Sequence, residues 1–430
     1  MYKNKEKALE LLKQKINGET IITYNEIIRL TGYSKRQLIR FSKLVEEKDI
    51  DSILIHGNTG RKPSTTASVR EVNYISEFKN KYPICSISQF MDIYHEDVVW
   101  NPKLASLVSQ NNLKIRSYSF YSSLYKKCGW VIPRPRKGFS KDSEIHSLRP
   151  PAPRRGILVI IDGTPHDWFQ NGLKQSLHLA VDDATNEMIA GWFMATECRV
   201  GFCHMLKTIL IKHGIPENLY SDKHTILKSP IDGNLTQFGR MCKELGINMI
   251  FAETPQAKGK VEKANDTVQG RLLNDIKRFN ITSVEQLNIW FNDFYIGYLN
   301  KKFAYPPLEE DTEFIPLPED INLDNIFCLK VDRKILNGNC VSYDNYYYIP
   351  VDEFNNSVPM YKGSSVEVWI DVFDKSKVRI FKDNIIYHTT SIKRDKKIDP
   401  TKELKIINNQ KEMQEILDLT SKRRKLKEES

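Results

Sequence analysis

Three acidic residues stand where carboxylates can converge on metal ions: Asp162, Asp222 and Glu262. Asp162 ends the apolar run GILVIID, Asp222 ends the short run LYSD, and Glu262 lies on a helix predicted within TPQAKGKVEKANDTVQGRL. Two-metal phosphoryl transfer uses several carboxylates around cations about 3.5–4 Å apart. Hard oxygen ligands suit Mg²⁺ or Mn²⁺. The three residues are therefore predicted to be both catalytic and metal-binding, with two such ions in the active site.

Three other acids in the same region compete with Asp162. These are Asp167, Asp182 and Asp183, and a single aspartate at the end of a strand is more often a cap or turn residue. Asp162 ranks above them because it directly ends the apolar run. The sequence DDAT at residues 182–185 is instead typical of a hairpin turn. The case for a site therefore depends on all three candidate acids together.

The elements that position these acids have the pattern of an α/β domain. GILVIID is a continuous apolar run, which predicts a strand buried on both faces. Two strands around a polar turn follow, and then helices over residues 200–213 and 237–245 alternate with strands over 219–222 and 248–251. This order predicts an α/β catalytic core with a mixed sheet over residues 156–310. Two of the candidate acids then lie at strand positions and the third on a helix.

The first 55 residues predict a helix-turn-helix DNA-binding domain. Thr23 with Glu26, and Ser34 with Gln37, are capping pairs on either side of a turn at Gly32. The second helix of such a motif can enter the major groove, although a plain three-helix bundle would look similar. The predicted DNA-contacting residues on this helix are Lys35, Arg36, Gln37, Arg40 and Lys43.

Two further segments are predicted to contact DNA between this domain and the core. Residues 56–68 form a linker whose Arg61 and Lys62 could lie in a minor groove, and residues 69–130 form a second helical DNA-binding domain. Residues 131–155 are proline-rich and carry seven Lys or Arg against two acids. We interpret them as an extended basic linker that follows phosphates, with a merely solubilising linker as the alternative. Its predicted DNA contacts are Arg134, Arg136 and Lys137.

The C-terminal part has the pattern of an all-β domain. Strict alternation of apolar and polar residues in SSVEVWIDVF predicts a strand, and Asn337-Gly338 predicts a hairpin turn. Several short strands of this kind predict a small β-barrel over residues 318–390. Residues 391–430 form a basic tail that ends with KRRKLKEES. The predicted fold class is thus multidomain, with N-terminal all-α helix-turn-helix units, the α/β core and this barrel.

The composition excludes several classes of protein. The 430 residues contain 64 Lys and Arg against 54 Asp and Glu, a net charge of +10 that favours a polyanionic partner. Apolar runs are too short for a membrane helix, and the N-terminus lacks the apolar core of a signal peptide. The seven scattered cysteines favour reduced thiols, so Cys198 and Cys203 with His204 are interpreted as helix residues rather than zinc ligands. We therefore expect an intracellular, cytoplasmic protein.

Three blocks of the chain resemble the signature blocks of DDE transposases that have a retroviral-integrase-like core. These blocks are ILVIIDGTPHDWF, LYSDKHTIL and FAETPQAKGKVEKANDTVQGRL. With TQFGRMCKELGI before the last block and the N-terminal helix-turn-helix, the chain is most similar to transposases of bacterial insertion sequences (ISNCY-like group). The resemblance implies an RNase H-like core whose acids, in order, are Asp162, Asp222 and Glu262. Their intervals are 60 and 40 residues, and the second is slightly longer than in the integrase pattern but inside the range of the family.

The third block also departs from the integrase pattern. Retroviral integrases carry basic residues one and two turns beyond the glutamate, where this chain has Asp266 and Gln269. The resemblance implies a DNA contact for Gln256, and the other contacts of this block are expected at lysines closer to Glu262. The predicted lysines are Lys258, Lys260 and Lys263.

The resemblance implies a DNA transposase with double-stranded DNA as its partner. Such a protein binds the terminal inverted repeats of a mobile element, hydrolyses a phosphodiester at each end to free a 3′-OH and joins that hydroxyl to target DNA. Because two ends must be brought together, a homodimer or higher homo-oligomer is expected in the active complex. Two alternatives remain: a sequence-specific DNA-binding regulator with an inactive nuclease core, and an RNase H-like nuclease that cuts without joining.

Overall fold

A computed structural model describes residues 2–55, 60, 63, 66–130, 150–222, 225–229, 231, 234–251 and 259–394. The chain divides into two compact units. The first comprises Met1–Lys81 and Met91–Tyr121, and the second comprises Tyr82–Phe90 and Ser122–Ser430. The predicted second helical domain at residues 69–130 is therefore shared between the two units.

The first unit begins with four helices around a small apolar core. They are α1 (Tyr2–Ile16), α2 (Tyr24–Thr31), α3 (Lys35–Glu47) and α4 (Ile50–Leu54). Both predicted capping boxes are present, and Gly32 between α2 and α3 has a φ of 75°, which favours glycine. Ala8, Leu12, Ile27 and Leu38 are fully buried between the helices. The helical pattern is thus confirmed, while its function as a DNA-binding helix-turn-helix stays a prediction.

Further helices complete the first unit and begin the second. They are α5 (Val69–Lys81), α6 (Ile87–Tyr94), a π-helical turn (His95–Val99), a 3-10 turn (Pro102–Leu104), α7 (Ala105–Gln110) and α8 (Tyr118–Cys128). Glu71 is fully buried and accepts a hydrogen bond of 2.9 Å from Nε of Arg116. Tyr121 is also fully buried and lies 3.0 Å from Nε2 of His95. Tyr121 therefore belongs to the core, as aromatic residues at helical spacing usually do.

The second unit is built on a mixed five-stranded sheet. Its strands are β1 (Leu158–His166), β2 (Gln175–Asp182), β3 (Met188–Met194), β4 (Asn218–Ser221) and β5 (Asn248–Phe251), in the order β3-β2-β1-β4-β5. The pairs β1–β2 and β2–β3 are antiparallel, whereas β1–β4 and β4–β5 are parallel. The predicted end of β1 at Asp162 is wrong, because antiparallel pairing with β2 continues to His166. The mixed sheet itself is as predicted.

Helices cover both faces of this sheet. Helices α9 (Arg199–Lys212) and α10 (Gln237–Glu244) pack on one face, in a cluster that includes Val159, Leu206 and Met241. On the other face lie α11 (Gly259–Arg278), α12 (Val284–Trp290), a π-helical turn (Phe291–Tyr295) and α13 (Ile296–Phe303). Ile160 packs there with residues of α11, so successive residues of β1 face opposite layers.

Three asparagines cover the outer edge of β3. Asn288 accepts from the N–H of Phe193 (2.7 Å) and donates to its carbonyl oxygen (3.1 Å). Asn292 bonds Gly191 in the same two-way manner, and Asn300 bonds Met188. Each side-chain amide thus replaces one residue of a neighbouring strand. The edge of the sheet is satisfied without a sixth strand.

A second sheet follows helix α14 (Leu323–Ile326). Its strands are β6 (Cys328–Lys334), β7 (Val341–Tyr343), β8 (Tyr346–Val351), β9 (Ser365–Asp371), β10 (Val378–Lys382) and β11 (Ile385–Lys393). They are all antiparallel in the order β6-β9-β10-β11-β8-β7, which gives a nearly closed, barrel-like sheet where the barrel was predicted. Positive φ angles at Gly338 and Asn339 form the turn between β6 and β7.

This C-terminal sheet packs directly against helices α9 and α10 of the second unit. Gln237 on α10 donates to the carbonyl oxygen of Lys330 (3.0 Å) and accepts from its N–H (3.2 Å). Phe327 and Val372 are buried in the same cluster as α9 and α10.

Among the described helices, none is both long enough and apolar enough to cross a bilayer.

Candidate functional site

Strand register brings two of the predicted acids to the same level of the sheet. The parallel pairing of β1 with β4 aligns Leu158 with Asn218 and Ile160 with Tyr220. Asp162 and Asp222 each lie two residues further along their chains, and both are half-buried. Neighbouring strands are about 4.8 Å apart. Asp162 and Asp222 therefore follow the same end of the paired segment.

The same alternation directs Asp162 toward α11. Ile160 and Tyr220 pack in the cluster formed with α11, and side chains two residues apart on a strand share a face. A direct contact supports this orientation, because Asn265 on α11 donates from Nδ2 to Oδ2 of Asp162 (3.0 Å). Thr164 adds a longer bond of 3.4 Å to the same oxygen.

Glu262 lies in the first turn of α11, three residues before Asn265. Residues three apart share a helix face, so Glu262 neighbours the side chain that contacts Asp162. The predicted buried stripe of α11 is present, with Val261, Val268 and Leu272 fully buried. Glu262 itself is exposed at the edge of this stripe, near the positive end of the helix dipole.

The donor set of this region suits a divalent cation. Carboxylate oxygens of Asp162, Asp222 and Glu262 are hard ligands. The buried Oδ1 of Asn265 has no hydrogen-bond partner among the described residues, so it leaves one oxygen unsatisfied beside Asp162. Within the described ranges, however, no group of three or more His, Cys, Asp and Glu side chains lies close enough to hold a metal ion. The convergence of the three acids on metal ions stays a prediction.

The competing acids have structural partners. Asp167 accepts from the N–H groups of Asn171 (3.0 Å) and Gly172 (2.8 Å), which closes the turn after β1. Asp182 accepts from the N–H groups of Gly156 and Thr185, both at 2.9 Å. Burial raises the pKa of Asp182 against the opposing effect of these bonds. The region of Asp182 is the turn between β2 and β3 that the sequence predicted.

Lys260, one of the predicted DNA-contacting residues, forms an ion pair within the protein. Its Nζ is 3.1 Å from Oδ1 of the fully buried Asp183 and also donates to the carbonyl oxygen of Asp183. Asp183 in turn accepts from the N–H of Ala152 (2.8 Å). A buried carboxylate requires such partners, and Lys260 supplies the charge. The DNA contact predicted for Lys260 would require this ion pair to open, whereas Lys263 is exposed.

The other predicted DNA-contacting residues fall into two groups. Those on α3 are all exposed, although Oε1 of Gln37 accepts from the N–H and hydroxyl of Ser34 (both 3.0 Å) and so caps the helix. The second group lies outside the described residues: Arg61, Lys62, Arg134, Arg136, Lys137, Gln256 and Lys258.

Two polar residues near Asp162 were missed. Asn265 was detectable, because it lies three residues from Glu262 on one helix face. Glu197 carried no sequence signal, because it lies in the connection between β3 and α9 and reaches β1 only in the fold. Its carboxyl group lies over Gly163, where an added Cβ would be 2.7 Å from Oε1. Gly163 thus leaves room for the carboxylate of Glu197 close to Asp162.

His178 holds the segment that carries Glu197. It is fully buried on β2, its Nδ1 lies 3.0 Å from the carbonyl oxygen of Trp192, and its Nε2 accepts from the N–H of Cys198 (3.1 Å). Burial lowers the pKa of His178 to about 4, so the ring is neutral at pH 7. His204 stacks on Trp192 at 4.2 Å, and Cys203 is fully buried, which agrees with their interpretation as packing residues.

Sequence comparison finds two curated relatives that are transposases. The chain is 29% identical over 276 residues to the transposase for insertion sequence IS1202 of Streptococcus pneumoniae, which covers 61% of this chain and 56% of the relative. It is 33% identical over 215 residues to the putative transposase y4bF of Sinorhizobium fredii. This alignment covers 48% of the present chain and 45% of the relative. No family model matches the chain. The chain spans about half the length of these relatives.

Structural comparison finds retroviral integrases. The HTLV-2 integrase catalytic core domain in complex with magnesium has a TM-score of 0.26 at 15% identity and covers 32% of this chain and 85% of its own. A simian T-cell lymphotropic virus intasome in complex with the PP2A regulatory subunit B56 gamma has a TM-score of 0.30 at 12% identity. The match covers 69% of the present chain and 99% of the matched chain. At these scores the similarity carries no functional argument.

By sequence, the chain is similar to bacterial transposases. More particularly, it resembles transposases of insertion sequences, as the three sequence blocks indicated, and this resemblance is confirmed.

Proposed function

We propose that the chain is a DDE transposase that cuts the ends of a mobile element and joins them to target DNA. One observation carries the proposal. Ile160 and Tyr220, which lie two residues before Asp162 and Asp222, are paired in neighbouring strands, and Asn265, one helical turn from Glu262, donates to Asp162. This pairing and this contact support a single site formed by the three sequence blocks.

The residues of this region suit hydrolysis followed by transesterification. Asp162, Asp222 and Glu262 would hold two Mg²⁺ or Mn²⁺ ions, which activate the attacking water or 3′-hydroxyl and stabilise the leaving oxygen. Asn265 fixes the rotamer of Asp162 through its amide, and the unpartnered Oδ1 of Asn265 can accept a bond from a bound water. Lys263, exposed beside Glu262, would contact a phosphate of the DNA.

The helical N-terminal region would bind the terminal inverted repeats. The exposed side chains of α3, including Lys35, Arg36, Arg40 and Lys43, present positive charge on a capped helix. Because two element ends take part in one reaction, the active complex would contain at least two copies of the chain. The same chemistry places the protein with the bacterial nucleoid.

A strand-transfer assay tests the proposal. The protein is incubated with Mg²⁺, a labelled duplex of the element end read from the DNA flanking the gene, and a plasmid. We expect joined products from wild type and from Asp167→Asn, whose carboxylate only closes a turn, and none from Asp162→Asn or Glu262→Gln. Cutting without joining would favour a nuclease, and retarded but uncut DNA would favour a regulator.

A further inference from the structure

The outer face of the C-terminal sheet carries an apolar groove with a volume of about 680 Å³. Tyr348 on β8 is buried in the core of this sheet, so its neighbours Tyr347 and Ile349 point away from the core. Ile392 on β11 is paired with Tyr347 and therefore lies on the same face. These side chains line the groove together with Leu336, which follows β6. The solvent side of an antiparallel sheet is usually polar, so this apolar face is suited to a partner.

The groove combines exposed apolar side chains with unpaired positive charge. Leu336 is 41% exposed and Ile392 is 52% exposed. Lys334 and Lys362 also line the groove, and both are exposed. Among the described residues, neither lysine has a carboxylate or hydrogen-bond partner, and none of the groove-lining residues is acidic. A segment that carries both apolar and acidic side chains would therefore complement this surface.

The chain itself contains a segment of this composition. The tail after β11 is basic overall, and its residues 395–430 lie outside the described residues. Within the tail, residues 412–421 (EMQEILDLTS) contain three acids and no Lys or Arg. Met413, Ile416 and Leu417 recur at the spacing of three and four residues that is typical of one face of a helix. This segment therefore has an apolar stripe and negative charge, the two properties that the groove requires.

The position of the groove allows this segment to reach it within one molecule. Ile392 lines the groove and lies next to the start of the tail, and the 17 residues 395–411 separate it from the acidic segment. A random coil of that length has an average end-to-end distance of about 20–25 Å. Such a connection gives an effective concentration of about 1 mM, so a site with a Kd of about 0.1 mM for the free segment would be filled about 90% of the time. Weak binding is therefore sufficient.

We propose that residues 412–419 dock as a helix in this groove of the same molecule. The apolar stripe of the segment would cover Leu336 and Ile392, as an amphipathic helix does in an apolar groove. The acids of the segment would pair with the two lysines of the groove: Glu412, Glu415 and Asp418. Docking would also hold the basic run KRRKLK, residues 422–427, beside the C-terminal sheet. The inference does not depend on the proposed function.

Hydrogen exchange of the full-length protein, measured by mass spectrometry, tests the docking. We expect the amides of residues 412–419 to exchange about 10-fold more slowly in the protein than in a synthetic peptide of residues 409–421, because most molecules hold the docked helix. The slowing should be constant over a roughly 20-fold range of protein concentration, as docking within one molecule requires. Slowing that increases with concentration would assign the groove to the tail of a second copy. Slowing that appears only after duplex DNA is added would mean that the tail orders on DNA, and either result contradicts the proposal.

Charge reversal tests the contact itself, because both lysines are exposed and can be replaced without disturbing the core. Lys334→Glu combined with Lys362→Glu should return the exchange of the segment to the rate of the free peptide. Lys375→Glu, a change in the exposed turn between β9 and β10, should leave it slow. Adding Glu412→Lys and Glu415→Lys to the double variant should restore slow exchange. Unchanged exchange in the double variant, or no recovery in the combined variant, would refute the groove as the docking site.

A change confined to the tail tests the apolar contact. Ile416→Ser combined with Leu417→Ser should abolish the slowing relative to a free peptide of the same sequence, because the segment loses its apolar stripe. Leu404→Ser, a change at an apolar tail residue outside the segment, should retain it. Slow exchange that survives in the double variant, or that is equally lost in Leu404→Ser, would contradict the proposed contact.

Discussion

The two ends of the segment where β1 pairs with β4 carry acids of opposite character. Near Leu158, Asp182 and Asp183 are fully buried, and N–H groups and Lys260 satisfy them. At the other end, Asp162 and Asp222 are half-buried, and Asp162 accepts a hydrogen bond from the neutral side-chain amide of Asn265 on α11. Fully buried acids paired with a cation and N–H groups hold the fold together. The half-buried acids that follow the paired segment are the ones we propose as metal ligands.

The largest effect is expected when one of the proposed metal ligands, Asp162 or Asp222, is replaced. Asp222→Asn should reduce strand transfer by about 1,000-fold or more, because a metal ligand contributes several kcal/mol of transition-state stabilisation. Its unfolding midpoint in urea should stay near that of wild type. Initial rates of joining and equilibrium unfolding check the two halves of this prediction. If the variant joins DNA at the wild-type rate, Asp222 is a structural residue like Asp182 and Asp183 and not a metal ligand.

The opposite pattern is expected for Asp183→Ala. The change leaves the charge of Lys260 and the N–H of Ala152 without their buried partner, so the free energy of unfolding should fall by about 3–5 kcal/mol. Urea denaturation measures the loss, with the exposed Asp311→Ala as control. A loss below about 1 kcal/mol, the value of a surface pair, would contradict the comparison.

Asp275 on α11 sharpens the comparison, because it is almost fully buried but incompletely paired. Burial raises its pKa from 3.8 to about 6, although Tyr295 donates to Oδ2 at 2.7 Å. The folded protein therefore holds this proton more tightly than the unfolded chain. The resulting stability is complete below about pH 4 and is lost as the pH rises through about 6, for a total of up to about 3 kcal/mol.

Asp275→Asn should remove this dependence. The free energy of unfolding should decline between pH 4 and 6 in wild type. We expect the variant to lack this decline. Asp293→Asn, a change at an exposed acid, should decline like wild type. Denaturation series at pH 4, 5, 6 and 7 give the slopes, and parallel curves for Asp275→Asn and wild type would rule out the proposed burial effect.

A smaller effect is expected at the amide beside Asp162. Asn265→Ala removes the 3.0 Å bond to Asp162 but no proposed metal ligand, so strand transfer should fall by about 10- to 100-fold. Excess Mn²⁺ should restore part of the rate, because the weakened step is the positioning of a ligand. Thr267→Ala, a change on the same helix whose hydroxyl bonds Lys263 within α11, is the matched control. Equal rates for both variants would remove Asn265 from the site.

Local patterns predicted much of this arrangement. Three of its features depend only on residues that are close in sequence: the apolar run of β1, the buried stripe of α11 and the two capping boxes. All three are present. The end of β1 was misplaced, because its last residues extend only through pairing with β2. Pairings such as Lys260 with Asp183, and Glu197 over Gly163, join residues that only the folded sheet brings together. No periodicity encodes such contacts.

The central claim is that Asp162, Asp222 and Glu262 share a pair of divalent ions. A crystal structure of the protein with Mn²⁺ and an element-end duplex, with anomalous scattering measured at the manganese edge, tests it most directly. We predict two manganese peaks about 3.5–4 Å apart, with ligand oxygens from all three residues. Peaks absent from this face of the sheet, or a Glu262 side chain directed away from them, would contradict the account.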